Sequence, residues 1–372
     1  MASVAGTRDT VNGRRLTPCF GAGRSAALAA RRALDEFAER WSGFARGDEP
    51  EFLASYEALG EAAVHPDAML LFGRSQLLEY QPFDETEVRP WTPALSLTSG
   101  KYRMIAAPLV WYGHPAQRQM PYGRADSSGC AAGGSLADAA KRGLLELIER
   151  DSVALWWYNR IRRPQVELAR TSLPMISRIV AWLERLGRQV WVLDLTSDLG
   201  VPVMAAVSVI AGAERPRILL GFGAHPDSQR AALRALTEVA QEVAITAAAA
   251  AGMIEPPAVS CRWLRNGTLQ AEPQLKPAHG AMIALSSRAD IEHPAESLRR
   301  TVLTMKRHAL DVLIVDQTRA ATGRTVVKMF APGLRPWWRR TAPGRLYTGP
   351  VAAGWIARPR REGQLNSTAL WF

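Results

Sequence analysis

Three long stretches with strong helical periodicity, Ala26 to Phe44, Leu136 to Tyr158 and Gln229 to Met253, are interleaved with short apolar runs that read as strands. The runs are Arg103 to Trp111, Gln189 to Leu195, Val201 to Ile210, Ile218 to Phe222, Val312 to Asp316 and Thr325 to Phe330, each bounded by turn residues. A helix or a sheet has to bury its apolar face against another element, so this alternation predicts an α/β fold: a mixed sheet with covering helices. The stretch from about Glu255 to Gly280, with EPPA and EPQLKP, reads as an irregular connection. No low-complexity linker separates independent units. The expected organisation is an N-terminal extension over 1–20 and a single domain over 21–372.

Composition excludes several classes. At 47% hydrophobic and 22% charged over 372 residues, the chain has the balance of a globular protein, not a disordered one. No apolar run reaches the roughly 18 residues needed to cross a bilayer. The N-terminal MASVAGTRDTVNGRR has arginines with no apolar segment behind them, so a cytoplasmic location without membrane contact is expected. Cys19, Cys130 and Cys261 are too far apart for a metal knuckle or a disulfide framework. The net charge of +11 comes from 46 basic residues, of which only Lys101, Lys141, Lys276, Lys306 and Lys328 are lysines. Guanidinium groups suit phosphate and carboxylate, which leaves nucleic acid, a nucleotide or an acidic peptide as partners. The basic residues are scattered and no nucleic-acid motif accompanies them, so no nucleic-acid partner is expected.

The common phosphate-loop, zinc-protease, hydrolase-elbow and kinase signatures are absent. His65, His114, His225, His279, His293 and His308 never fall at metal-ligand spacing. Gly21, Gly23 and Ala26 fit a loosened dinucleotide fingerprint, but the preceding TPCF is a poor strand, and that motif has meaning only between a strand and a helix.

Glu-x-x-Glu-Arg, in contrast, occurs twice, once in each of the first two helices: Glu36, Glu39 and Arg40, then Glu146, Glu149 and Arg150. Residues three and four apart share a helix face, so each copy presents two carboxylates and a guanidinium to one space. Asp138, about three turns before Glu149, projects from nearly the same face. Two readings stand. One is a solvated face held by surface ion pairs of about 0.3–0.5 kcal/mol each. The other starts from Leu144, Leu145, Leu147, Ile148, Trp156 and Trp157 around the second copy. Carboxylates in such surroundings are partly buried and need a cation, and a hard ion such as Mg2+ is held by one or two carboxylates together with substrate phosphates. The third helix adds Arg234, Glu238 and Gln241 on one face.

The stretch DSSGCAAGGSLADAAKRGLLELIERDSVALWW resembles the central signature of the YcaO family, a glycine-alanine turn leading into a helix that bears Glu-x-x-Glu-Arg-Asp. The resemblance extends through ARRALDEFAERWSGF, EALGEAAVHPDAMLLFG, GAHPDSQRAALRALTEVAQ, VLIVDQTR and MFAPGLRP, from about Gly21 to Leu334. It implies a YcaO-like ATP-binding fold and an ATP- and Mg2+-dependent cyclodehydratase that forms thiazoline or oxazoline from Cys, Ser or Thr of a ribosomal precursor peptide. Thioamide or amidine formation, or a catalytically weakened scaffold subunit, are the alternatives. On this resemblance Glu36, Glu39, Asp138, Glu146 and Glu149 are expected as metal ligands. Arg40, Ser128, Arg150, Arg234, Glu238 and Gln241 are expected at the nucleotide, and no catalytic residue is assigned. Arg32, Ser128, Gly134 and Asp138 depart from the family's usual serine, asparagines and glutamate. The tail LNSTALWF, expected to reach toward the active site, lacks the prolines of azoline-forming members. A separate E1-like or ThiF-like leader-recognition protein, a flavin-dependent azoline dehydrogenase and a second copy of the chain are the further partners expected.

Overall fold

The computed structural model describes residues 10–11, 14–15, 19, 21, 23, 25–78, 82–120, 123–210, 212, 217–253, 263–280, 282–287 and 293–370. Among them are α1 (Ala26–Ser42), β1 (Phe52–Ala54), β2 (Arg89–Ser96), β3 (Tyr102–Ala106), β4 (Cys130–Gly133) and α2 (Leu136–Asn159). Next come α3 (Pro174–Arg185), β5 (Arg188–Asp194), β6 (Val203–Ile210), β7 (Leu219–Ala224) and α4 (Ser228–Ala250). The last are α5 (Pro294–Arg307), β8 (Leu313–Asp316), β9 (Thr325–Phe330) and α6 (Arg345–Ala352). The three long helices begin where cap chemistry dictates. Ser25, Ser135 and Asp227 each accept a hydrogen bond from a backbone N–H of the first turn, satisfying a group the helix itself leaves unpaired.

Two antiparallel sheets result. The larger has six strands in the order β1-β2-β8-β9-β4, with β3 joined to β2; the smaller has the order β7-β6-β5. Helix α2 runs between them, packing on β4 and β9 of one and on β6 and β7 of the other. The period of two along β6 explains this placement. Val203, Ala205, Val207 and Val209 face the core that contains α2, whereas Met204 and Ala206 face α3 and α4 on the far side. Helix α1 lies on β4 and β9 through Ala38, Ala132 and Val326. The second half of the run Arg103 to Trp111 is not strand. Ala107–Val110 forms a helical turn with Pro108 in its first positions, where the missing N–H costs nothing, and the turn is buried in the core beneath the large sheet.

Close approach is built in where α4 crosses β7. A Cβ at Gly221 would come within 2.3 Å of the Ala235 carbonyl oxygen, and one at Gly223 equally close to that of Ala231. Only glycine lets helix and strand meet at this distance, and this contact brings α4 side chains onto the strand's outer edge. TPCF falls mostly outside the described residues.

Candidate active site

Both β4 and β7 end their sheets, so each carries outward N–H groups with no strand partner. Glutamates fill these vacant positions. On β4, Ala132 N–H donates to Glu39 Oε1 at 2.7 Å. On β7, Phe222 N–H donates to Glu238, and the Ala224 backbone amide lies near enough to Glu149 to favour its ionised form. Carboxylates from α1, α2 and α4 are thereby drawn to sheet edges deep in the protein.

Between α1, α2 and β4 lies a cavity of about 350 Å3 lined by Glu36, Glu39, Arg40, Glu146 and Arg150, together with Tyr112, Cys130 and Arg142. Each arginine is paired within its own triplet. Arg40 reaches Glu36 at 2.5 Å, and Arg150 Nε donates to Glu146 at 3.0 Å while its guanidinium lies 4.1 Å over the Trp337 ring. Glu39 has no such arginine. Burial pushes its carboxyl up to about 8, against the Ala132 bond and with Glu146, Glu36 and Asp35 adding to the rise. Burial likewise raises Glu149 and Glu238, which repel each other across β7.

The remaining candidates lie around this cavity. Arg234 donates to the Ala224 carbonyl at 2.9 Å and attracts Glu149. Asp138 sits in the first turn of α2, bound by Arg142 at 3.0 Å and Lys141 at 3.5 Å. Its captor Arg142, not Asp138 itself, lines the cavity. Ser128 borders a second, adjoining cavity, and Gln241 lies three residues past Glu238 and lines neither. Among the described residues no three Asp, Glu, His or Cys side chains converge as a ready-made metal cage. Mg2+ needs none, because it keeps waters and takes one or two carboxylates along with phosphate oxygens. An all-oxygen donor set whose members raise one another's proton affinity fits such an ion.

Sequence reasoning missed Tyr112, Arg142 and Lys328. Only Lys328 carried a signal, a lysine inside the apolar strand TVVKMF.

A carboxyl raised on folding stabilises the protein most at acidic pH, and that contribution is lost between its unfolded value near 4.5 and its folded value near 8. In nucleotide-free protein, Glu39→Gln is therefore expected to raise the thermal midpoint more at pH 9 than at pH 5. Equal shifts at both pH values would remove the assignment.

Comparison with known proteins follows the same lines. The family model described as YcaO cyclodehydratase, ATP- and Mg2+-binding, matches residues 20–335. A heterocyclase solved in complex with substrate and cofactor superposes with a TM-score of 0.87 at 35% identity, over 95% of this chain and 49% of its own. The heterocyclase TruD gives a TM-score of 0.82 at 36% identity, over 91% of this chain and 50% of its own. The chain thus spans about half the length of these two heterocyclases. An uncharacterized protein of Methanothermobacter thermautotrophicus is 29% identical over 342 residues, 88% of this chain and 84% of its own. With a match over most of its length and an acidic cavity between the two Glu-x-x-Glu-Arg helices, the chain belongs to the YcaO cyclodehydratase family.

Proposed function

We propose that this protein is an ATP-dependent cyclodehydratase that converts Cys, Ser or Thr residues of a ribosomal precursor peptide to thiazoline or oxazoline. The observation that carries this reading is the cavity in which Glu36, Glu39 and Glu146 of two helices face one another beside Arg40 and Arg150. Its size lies within the range of small-ligand pockets, roughly 300–1,000 Å3.

In this reading Glu36, Glu39 and Glu146 hold Mg2+, with Glu149 and Glu238 behind them, and Arg40 and Arg150 turn to phosphate oxygens. Magnesium ATP supplies charge neutralisation and the phosphoryl group. The side-chain sulfur or oxygen bonds to the preceding carbonyl carbon. As it does so the side-chain proton would be released and the C=O π electrons would move to oxygen, which would take the γ-phosphoryl group with ADP as leaving group. The C–O bond would then break to release phosphate as the amide proton is lost and the C=N bond forms. A hydroxide is a poor leaving group and a phosphate a good one, so the protein's task is positioning and charge stabilisation. Arg150 is suited to it, since Trp337 fixes the plane of its guanidinium from one side.

The Asp138, Ser128, Arg234 and Gln241 assignments belong to the same proposal, at the rim of the site. So does the C-terminal tail. Asn366 N–H donates to the Tyr158 carbonyl at 2.7 Å and Trp157 Nε1 donates to the Thr368 carbonyl at 2.8 Å. Tyr158 donates its hydroxyl to the Trp337 carbonyl, and the Trp337 ring stacks on Arg150, a contact chain that supports a tail near the site. A leader-recognition protein of the E1-like or ThiF-like kind, a flavin-dependent dehydrogenase and a second copy of the chain are the partners of this reading, in the cytoplasm. Among the described residues no helix is long and apolar enough to cross a membrane.

The test is mass spectrometry of the precursor peptide after incubation with the protein, its partners and MgATP. Loss of one water per modified site is expected. Exchange of oxygen for sulfur would reassign the chemistry to thioamidation, and no mass change with intact ATP binding would leave a scaffold.

A further inference from the structure

Arg150 lines a second cavity as well, of about 110 Å3. This space is too small for a second nucleotide, being well under the roughly 300 Å3 where small-ligand pockets begin. Its character also differs. Leu70, Leu109 and Leu147 make an apolar wall, and at the end near Arg150 stand Asp126 and Lys328.

Lys328 is unusual in its position. It belongs to β9, opposite Cys130 of β4, and only 2% of it is exposed. Its ammonium donates to the backbone carbonyls of Asp126 and Ser128. An ammonium carries three protons, and the Asp126 carboxylate at 3.8 Å is beyond hydrogen-bond reach for the third. The buried charge is balanced by the Asp126 carboxylate and by the Phe330 and Tyr112 rings at 5.4 and 6.0 Å, while only two of its protons have an oxygen acceptor within hydrogen-bond distance. At the cavity's edge the indole of Trp338, 42% exposed, donates to Asp126 Oδ2 at 3.2 Å, presenting an aromatic surface beside the pocket.

We propose that this cavity is the subsite for the residue whose carbonyl is activated. Its apolar wall takes that residue's aliphatic side chain, and Lys328 donates its third proton to the carbonyl oxygen. The inference rests on the reading of the acidic cavity as the MgATP site, since Arg150 would then stand between the phosphates and the amide they act on. A donor fixed where an amide oxygen gains negative charge is what such a reaction requires. The pocket would favour leucine-like over charged residues on the N-terminal side of the cyclised one.

The test uses the full chain with Mg2+, a non-hydrolysable ATP analogue, and two probes: N-acetyl-leucyl-cysteinamide and its E-alkene isostere, which lacks the carbonyl oxygen. Binding is read by ligand-observed NMR and nucleotide affinity by calorimetry. The wild type is expected to bind the amide probe about tenfold more tightly than the alkene, the worth of one hydrogen bond to a charged donor. Lys328→Met should erase that difference and Lys328→Arg restore part of it. Leu109→Trp should fill the pocket and weaken both probes at least about tenfold. Nucleotide affinity should stay within about twofold of wild type in all three variants, which also reports that they fold. Failure of the wild type to bind the amide probe, or the same amide-over-alkene preference in Lys328→Met, would overturn the proposal. Probe binding with no nucleotide binding would instead overturn the MgATP reading and leave the subsite standing.

Discussion

Glu146→Gln is expected to cut ATP turnover by at least about 10²-fold while leaving the fold intact, the scale seen when one charge-stabilising group is removed from an active site. Glutamine keeps the volume of Glu146 and an oxygen for Arg150 Nε, which now donates to the carboxylate at 3.0 Å. What disappears is one negative charge in a cavity that also holds Glu36 and Glu39. Arg150 remains stacked on Trp337, so the local packing survives. The same substitution at Glu149 should act similarly, although burial also raises that carboxyl's proton affinity. Phosphate release under saturating MgATP, with thermal melts as the control for folding, decides the matter. Unchanged turnover in both variants would refute the assignment of these glutamates to the metal nucleotide.

Arg345→Met is expected to destabilise the protein by about 3–5 kcal/mol, the usual consequence of removing one partner from a buried ionic network. Arg345 contacts Asp151 at 2.6 Å and Asp198 at 2.9 Å, and burial's tendency to lower its proton affinity is outweighed by these two carboxylates, which raise it. Asp151 is fully buried and also accepts from the Arg335 backbone N–H at 2.9 Å. A methionine would remove the guanidinium that bridges the two carboxylates, leaving Asp151 with Arg335 nearby and Asp198 with His308 at 3.5 Å. Asp151 directly follows Arg150, so this network anchors α2 next to the Glu146–Arg150 pair. Urea unfolding should show the loss as a lower midpoint at an unchanged slope. A midpoint within experimental error of the wild type would show that the network contributes nothing to the fold.

The helices were readable from the chain because their signals are local. Alanine-rich periodicity alone placed the three long helices to within three residues of their observed ends. The pairing of Glu36, Glu39 and Arg40 with Glu146 and Arg150 was also accessible, since one repeated spacing implies one shared face. The rest depends on partners distant in sequence. Asp151 and Arg345 are 194 residues apart, and nothing near either announces the other. The helical turn at Ala107–Val110 overrides a strand-like pattern because the chain dives into the core there, where a turn satisfies its own backbone. That Glu39 and Glu238 would each satisfy an edge-strand amide could not be seen before the strand order was known. Asp138 shows the limit of spacing arguments: its position on the helix face is as expected, yet Arg142, one turn later, claims the carboxylate.

The closed intrahelical pairs, Glu36 with Arg40 and Glu146 with Arg150, bear on which anions the cavity suits in a chain of net charge +11. A strand of RNA or a bare pyrophosphate brings only negative charge, and would have to pull guanidinium groups away from glutamates that then repel it. A phosphate chain arriving with a divalent ion satisfies both halves of each pair at once, the metal on the acids and the oxygens on the bases. A metal-bound phosphate chain is thereby a better electrostatic match to this cavity than a bare polyanion.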